Sequence, residues 1–400
     1  MADAPDNPLA PRTRPPYYAG APIEFAGYVD DFDRTICAME FSLDDGASWT
    51  AYPTAAVDKS RGVNWRFVYT PEAPGRYLLK VRPVTEDGEP SALVAGFAFE
   101  ALPAGGLEGR TRAMLKVEDG CVNFCTYCII PYARGPVRSL PMAEAEAEAK
   151  RLAEEGYREI VLTGIEISSW GQDLRDGTGL IDLVEAVCAA APGARVRLGS
   201  LEPRTITGEF CRRAARLPNL CPHFHLSMQS GCDATLKRMN RKYDTARYYE
   251  SVRLLRESFA RPAITTDLIV GFPGETEEEF TDTLAFVERC AFSSMHIFPY
   301  SRRPGTPAAG MSGQIPRAEQ EARAGRAGLL AARLEGEYLA GWVGATLPVL
   351  FEEETDGCWR GHAPNYVEVR APAAENLHNV LGNVVITGVQ DTRLMGVLES

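Results

Sequence analysis

Between Met114 and about Ala340, six short runs rich in apolar and β-branched residues alternate with longer segments of helical period. The runs are AMLKV, REIVLTG, VRLGS, PHFHLSMQ, AITTDLIVG and FSSMHIFPY, followed by stretches such as MAEAEAEAKRLAEEG and TEEEFTDTLAFVERC. Strands separated by helical crossovers run parallel, and six such units predict a closed or partly closed (βα) barrel over residues 107–340. The last helical pattern, residues 316–340, is expected to close it. Functional side chains in such a barrel gather at the C-terminal ends of the strands.

The fourth run predicts what the barrel encloses. Alternation in PHFHLSMQS places His223, His225, Ser227 and Gln229 on one face and Phe224, Leu226 and Met228 on the other. A parallel strand buried on both faces is apolar throughout, so a polar face implies a lined cavity.

The flanks have other rhythms, and the chain of 400 residues is too long for one core. Residues 1–21 are proline-rich and read as a flexible arm. Residues 22–102 show period-two runs broken by the turn clusters LDDGAS, TPEAPG and TEDGEP, the pattern of an antiparallel β-sandwich. SLDDGASW and FVYTPEAPGRYLLKVRPVTEDG resemble the immunoglobulin-like dimerisation domain of molybdopterin-dependent sulfite-oxidase-type enzymes. That likeness implies a homodimer surface. Residues 341–400 return to short strands with glycine turns, a five-stranded barrel. The whole is a multidomain chain without a run of eighteen apolar residues, read as soluble and cytoplasmic with no membrane partner.

Directly after the first barrel strand comes CVNFCTYC, three thiols in eight residues. A zinc site would need a fourth ligand, and no other Cys or His lies nearby in sequence, although a remote histidine could supply one. A disulfide would leave an odd thiol in a reducing compartment. A cubane iron–sulfur cluster with three thiolates leaves one iron open. An open iron can chelate S-adenosylmethionine and pass an electron into its sulfonium, giving a 5′-deoxyadenosyl radical.

This C-x3-C-x2-C spacing is the signature of the radical S-adenosylmethionine superfamily. GRTRAMLKVEDGCVNFCTYCIIPYARGPVRS, EIVLTGIEISSWG, RLGSLEPR, FHLSMQSGCDATLKRMNRKY, TTDLIVGFPGETEEEF and FPYSRRPGTPA resemble the tRNA methylthiotransferases, in particular the branch acting on threonylcarbamoyladenosine beside the anticodon. The resemblance implies one [4Fe–4S] cluster on Cys121, Cys125 and Cys128, with Tyr127 beside the adenine of S-adenosylmethionine. It implies that Gly164 and Glu166 hold the methionine end, and that Glu202 and Gln229 face the ribose and carboxylate. It also implies a tRNA substrate, a reductant such as a flavodoxin or ferredoxin, and methylthio transfer to the adenine C2. No protein acid or base is assigned.

The net charge of −12 leaves tRNA contact to local patches. Lys237, Arg238, Arg241 and Lys242 follow the fourth strand, and Arg302 and Arg303 follow the sixth. The C-terminal segment resembles the small RNA-binding barrel that ends the methylthiotransferases, the TRAM-like domain. It carries eight acidic residues against three arginines, so Trp359, His362, Asn365 and Tyr366 are its candidates for base contact. Trp359 and Tyr366 serve equally as core.

One departure stands out. The resembling enzymes begin with a domain whose three cysteines hold a second cluster, whereas here only Cys37 precedes Cys121. A second [4Fe–4S] cluster is not expected from these residues. A sulfur-donor protein, radical chemistry on tRNA without sulfur insertion, a non-catalytic tRNA-binding scaffold, and a fusion near Ala104 to Glu108 remain open. Cys188, Cys211, Cys221, Cys232, Cys290 and Cys358 lack ligand spacing and are expected to be inert.

Overall fold

The computed structural model describes residues 17–20, 22–29, 34–54, 62–73, 75–92, 94–102 and 111–399. Most of the expected arm and the glycine-rich linker lie outside them. The chain divides into two compact units, Met1–Gly109 and Arg110–Ser400.

In the first unit the period-two runs form two sheets. One holds, in spatial order, Tyr17–Tyr18, Ala95–Leu102, Gly75–Thr85, Ile36–Ser42 and Thr50–Pro53; the other pairs Ile23–Val29 with Val63–Tyr69. Their alternating apolar residues, among them Phe25, Met39, Phe41, Trp65, Leu79 and Phe99, make one aromatic core. SLDDGASW is the hairpin turn its composition predicts: Asp44 accepts from the Ser48 amide, and Asp45 and Gly46 take positive φ.

The second unit contains the predicted parallel strands, β1 (Arg112–Lys116), β2 (Glu159–Thr163), β3 (Arg195–Leu198), β4 (His223–His225), β5 (Ala263–Val270) and β6 (Ser294–Pro299). β1, β2 and β3 pair in that order, as do β4, β5 and β6. Single parallel bridges, including Leu201 with Leu226, join the halves into one six-stranded arc. Among the described residues β1 and β6 do not pair, so the barrel is partly closed. Helices α1 (Ile130–Arg134), α2 (Met142–Glu154), α3 (Leu180–Ala190), α4 (Gly208–Ala214), α5 (Asp233–Arg238), α6 (Thr245–Ser258), α7 (Glu277–Cys290) and α8 (Arg317–Ala340) complete the unit. Strand and helix residues such as Ile160, Val196, Phe224, Leu183 and Val252 share a continuous core.

The VGFPGE stretch is a brace. Thr276 and Glu279 exchange amide hydrogen bonds in a capping box at the start of α7. Gly271 has φ +68°, and a Cβ there would lie 2.5 Å from Gln320 Cγ. Glycine at that position admits α8, whose Arg323 makes a buried 2.7 Å ion pair with Glu275.

The C-terminal strands β7 (Thr346–Thr355), β8 (Cys358–His362), β9 (Glu368–Pro372), β10 (Leu381–Gln390) and β11 (Arg393–Leu398) close into the expected five-stranded barrel, in the order β7-β8-β9-β11-β10. It has its own core of Val349, Phe351, Trp359, Val369, Val384 and Ile386. That core also takes in Leu339 from the end of α8, and both barrels belong to one compact unit.

A buried polar joint explains why. Glu159, Arg195 and Arg197 lie at the starts of β2 and β3. The Glu159 carboxylate accepts from both guanidinium groups. Arg195 donates onward to the His362 carbonyl at 2.7 Å, and Arg197 to the Pro364 carbonyl at 2.8 Å. Burial alone would raise the Glu159 carboxyl, but the charges and hydrogen bonds of Arg197 and Arg195 hold it down to about 2. Arg112, which opens β1, donates to Glu352 at 2.8 Å, and Glu352 also pairs with His362.

Among the described residues no helix is long and apolar enough to cross a membrane. Cys188, Cys211, Cys221, Cys232 and Cys290 are free and buried.

Candidate active site

The thiols stand where a barrel site is expected, in the loop that follows β1. The loop is closed at its base by pairing of Glu118–Asp119 with Arg138–Ser139, and Asp119 accepts ion pairs from Lys116 and Arg138. Gly120 has φ +95°, and a Cβ there would meet the Pro136 carbonyl at 2.0 Å, so only glycine fits the entry to the cysteines. Thr126 docks the other side: its amide donates to the Met239 carbonyl at 3.0 Å and its hydroxyl to the Arg238 carbonyl at 2.9 Å.

Cys121, Cys125 and Cys128 open on one cavity. The same cavity is lined by Glu166 after β2, Glu202 after β3, and Ser227 and Gln229 past β4. The polar face of the fourth run is thus partly cavity wall, while His223 lies buried at the start of the strand. Glu166 accepts from Asn123 Nδ2 at 3.2 Å and from the Ser168 amide at 3.1 Å. Burial raises its carboxyl, and the Glu202 charge adds to the effect. Glu118 Oε2 accepts from the Ile165 and Glu166 amides at 2.9 and 2.7 Å, and burial pushes that carboxyl up to about 7.

Arg241 was expected on the RNA-binding rim, but it turns into the cavity. Its Nη1 donates to Cys125 Sγ at 3.2 Å, Nη2 to the Ser227 carbonyl at 3.2 Å and Nε to the Tyr243 hydroxyl at 2.9 Å. Burial pushes the Cys121 thiol up to about 11 and raises that of Cys128. Both are therefore protonated near neutrality until a metal displaces the proton.

These residues fit a [4Fe–4S] group. The three thiols line one cavity, and a cube takes three thiolates on three of its irons and leaves the fourth iron open. Arg241 supplies a cation beside the sulfur of Cys125, which suits an anionic thiolate.

The other expected ligand-binding residues are divided. Tyr127, Glu166, Glu202 and Gln229 line the cavity. Tyr127 also packs edge-to-face on Phe272. Gly164 is not among the lining residues; a Cβ there would lie 2.8 Å from the Glu118 carbonyl, so its role is close packing. Asn123 and Arg241 are additional wall residues, and no sequence spacing marks them.

Of the expected RNA contacts, Lys237, Lys242, Arg302 and Arg303 are exposed, whereas Arg238 is half-buried and paired with Glu279. Two of the C-terminal candidates are corrected. Trp359 is buried in the small barrel's core, and Asn365 is buried and donates to the Tyr338 hydroxyl at 3.2 Å. Tyr366 is stacked on His362 with centroids 5.0 Å apart, and the Arg197 guanidinium lies 4.6 Å from its ring. It also meets His223, the first residue of β4. It therefore sits at the strand-start end of the large barrel, away from the thiols that follow β1, where it borders the joint and is 45% exposed.

Fold and site together define a class, and the radical SAM superfamily pattern matches residues 115–287. The relatives narrow it. Threonylcarbamoyladenosine tRNA methylthiotransferase MtaB of Bacillus subtilis is 37% identical over 300 residues, 74% of this chain and 66% of the relative. Its counterpart in Chlamydia pneumoniae is 38% identical over 72% of this chain and 68% of the relative. The tRNA-2-methylthio-N(6)-dimethylallyladenosine synthase of Acetivibrio thermocellus is 36% identical over 71% of this chain and 60% of the relative. This chain belongs to the radical SAM tRNA methylthiotransferase family and spans between 60% and 68% of the length of these three relatives. A [4Fe–4S] cluster and S-adenosylmethionine are the cofactors of that family.

Proposed function

We propose that this chain carries the radical-generating part of a tRNA methylthiotransferase that converts N6-threonylcarbamoyladenosine beside the anticodon to its 2-methylthio derivative. The observation that carries the reading is the cavity itself, which three thiols line together with Glu166, Glu202 and Gln229 at the strand ends of a parallel barrel. Relatives named for the threonylcarbamoyl and dimethylallyl substrates are 37% and 36% identical, so overall identity does not rank the two N6 groups. The choice rests on the resemblance of the quoted motifs taken together.

Cys121, Cys125 and Cys128 hold the cluster in this reading, and the cluster with S-adenosylmethionine supplies a 5′-deoxyadenosyl radical. The chain's own residues bind and orient. Arg241 fixes the Cys125 sulfur. Glu166 receives the amino group of the methionine end, while Glu202 and Gln229 hydrogen-bond the ribose and carboxylate, and Tyr127 flanks the adenine. Lys237, Lys242, Arg302 and Arg303 meet phosphates of the anticodon loop. The partners proposed are tRNA, a flavodoxin or ferredoxin, and a sulfur-donor protein, with the site of action in the cytoplasm. The N-terminal sandwich is proposed to pair with a second copy of the chain.

Anaerobic reconstitution tests this reading. The wild-type chain should bind about four irons, one cubane, and release 5′-deoxyadenosine under reductant. Cys125→Ala should lose both properties. Mass spectrometry of tRNA nucleosides from cells with and without the gene should show loss of the 2-methylthio product. An unchanged nucleoside profile would refute the assigned substrate, and bound zinc in place of iron would refute the chemistry.

A further inference from the structure

The cysteine loop carries a feature that cluster ligation does not require. Phe124 has φ +48°, in the left-handed region that a bulky residue rarely occupies. The Asn240 amide holds it there, donating to the Phe124 carbonyl at 2.9 Å and reaching the Asn123 carbonyl at 3.5 Å. Backbone strain of this kind persists only where the surroundings impose it, and here it turns an aromatic ring outward. Phe124 is 46% exposed and Tyr132, on α1, is 60% exposed; their rings meet edge-to-face with centroids 5.6 Å apart. Tyr127, Phe272 and Tyr300, by contrast, cluster together beneath the surface.

The surroundings of this pair are basic. Lys242 donates to the oxygen of the same Asn240 side chain at 2.9 Å. Arg134 lies two residues beyond Tyr132, and it shares the carboxylate of Asp119 with Lys116 and Arg138, while Asp173 also faces Arg138, which leaves three cations against two carboxylates. The exposed Arg303 is close enough to Cys128 for its charge to act on that thiol. Planar rings among cations beside the reaction cavity suit single-stranded nucleic acid, whose bases stack while its phosphates meet the cations.

We propose that Phe124 and Tyr132 form a stacking platform for an unpaired base of the anticodon loop, seating the RNA so that a neighbouring nucleotide enters the cavity. The proposal rests on the tRNA reading above and adds to it the residues that grip the loop. It differs from a docking surface for protein in needing π-faces rather than apolar volume.

The test uses the iron-loaded full chain and a synthetic anticodon stem-loop carrying 2-aminopurine at one loop position, titrated at several salt concentrations. Phe124→Leu and Tyr132→Leu keep apolar bulk and remove the π-face. Each should weaken binding about 5- to 100-fold. The salt slope should not change, because no phosphate contact is lost. Phe124→Trp should bind as the wild type does, and wild-type binding should alter the 2-aminopurine emission. Tyr132 lies on α1, past the last of the three cysteines, so its variant reports on stacking even if a change at Phe124 disturbs iron loading. If both leucine variants bind within roughly twofold of wild type, the platform is wrong and the exposed pair serves some other contact, such as a protein partner. If the wild-type chain does not bind the stem-loop at all, the tRNA reading fails, and the platform with it.

Discussion

At the scale of single residues, the cavity is governed by who neighbours each sulfur. Arg241 touches the Cys125 sulfur, a backbone carbonyl and a tyrosine hydroxyl at once, so its guanidinium is held by groups that themselves do not move far. Removing an outer partner of a metal ligand typically costs about 10- to 100-fold in metal affinity. Arg241→Met should accordingly lose iron to a competing chelator 10- to 100-fold more readily, about as that range allows, while Arg241→Lys, which keeps the charge but not the fork, should fall between. Equal iron retention in all three proteins would show that Arg241 is only packing. The three cysteines were legible because their spacing after a strand is informative on its own. Arg241 was not, because an arginine in LKRMNRKY reads as one more solvated cation. Only the turn at Asn240, φ +59°, reverses the chain and points it inward. Trp359 failed in the opposite direction: aromatic character is the same signal for stacking on a base and for filling a core, and burial alone separates them, whereas Tyr366 stays 45% exposed.

At the scale of elements, the strands of the large barrel were legible and their joint with the small one was half so. RVRL places two arginines in a four-residue strand whose neighbours are apolar, a visible anomaly for a buried parallel strand. The partners that satisfy it, Glu159 and carbonyls near His362 and Pro364, are remote in sequence and invisible without the fold. The joint makes a prediction with a definite sign. Glu159 titrates near 2 in the folded chain against 4.5 in its absence, so it contributes stability above pH 4.5 that is lost as pH falls from there toward 2. The shift corresponds to about 3 kcal/mol. Urea unfolding of the wild-type chain between pH 5 and 2 should lose about that much from this group, and Glu159→Gln should remove that part of the slope. The same variant should cost about 3 to 5 kcal/mol at pH 7, because two buried guanidinium groups are left without their carboxylate. A variant as stable as wild type at pH 7 would mean that water reaches the joint.

At the scale of the whole molecule, the chain joins two units with separate cores, and everything assigned to radical chemistry lies in one of them. Arg110–Ser400 contains the thiols, the cavity wall, Arg241 and the small barrel, while Met1–Gly109 has its own aromatic core between two sheets. Period-two alternation made its two sheets legible; the proposed pairing with a second copy rests on a resemblance alone, since a sheet face looks alike whether it meets solvent or a partner. The division predicts that residues 110–400, produced alone, fold cooperatively, bind about four irons and cleave S-adenosylmethionine as the full chain does. If pairing through the sandwich is the first unit's role, the full chain should sediment as a dimer and residues 110–400 as a monomer, with cleavage per iron unchanged. Loss of cleavage on removing the first unit, with iron retained, would instead assign that unit a part in the chemistry. Such a result would contradict a site built wholly from the thiol loop and the strand ends that follow it.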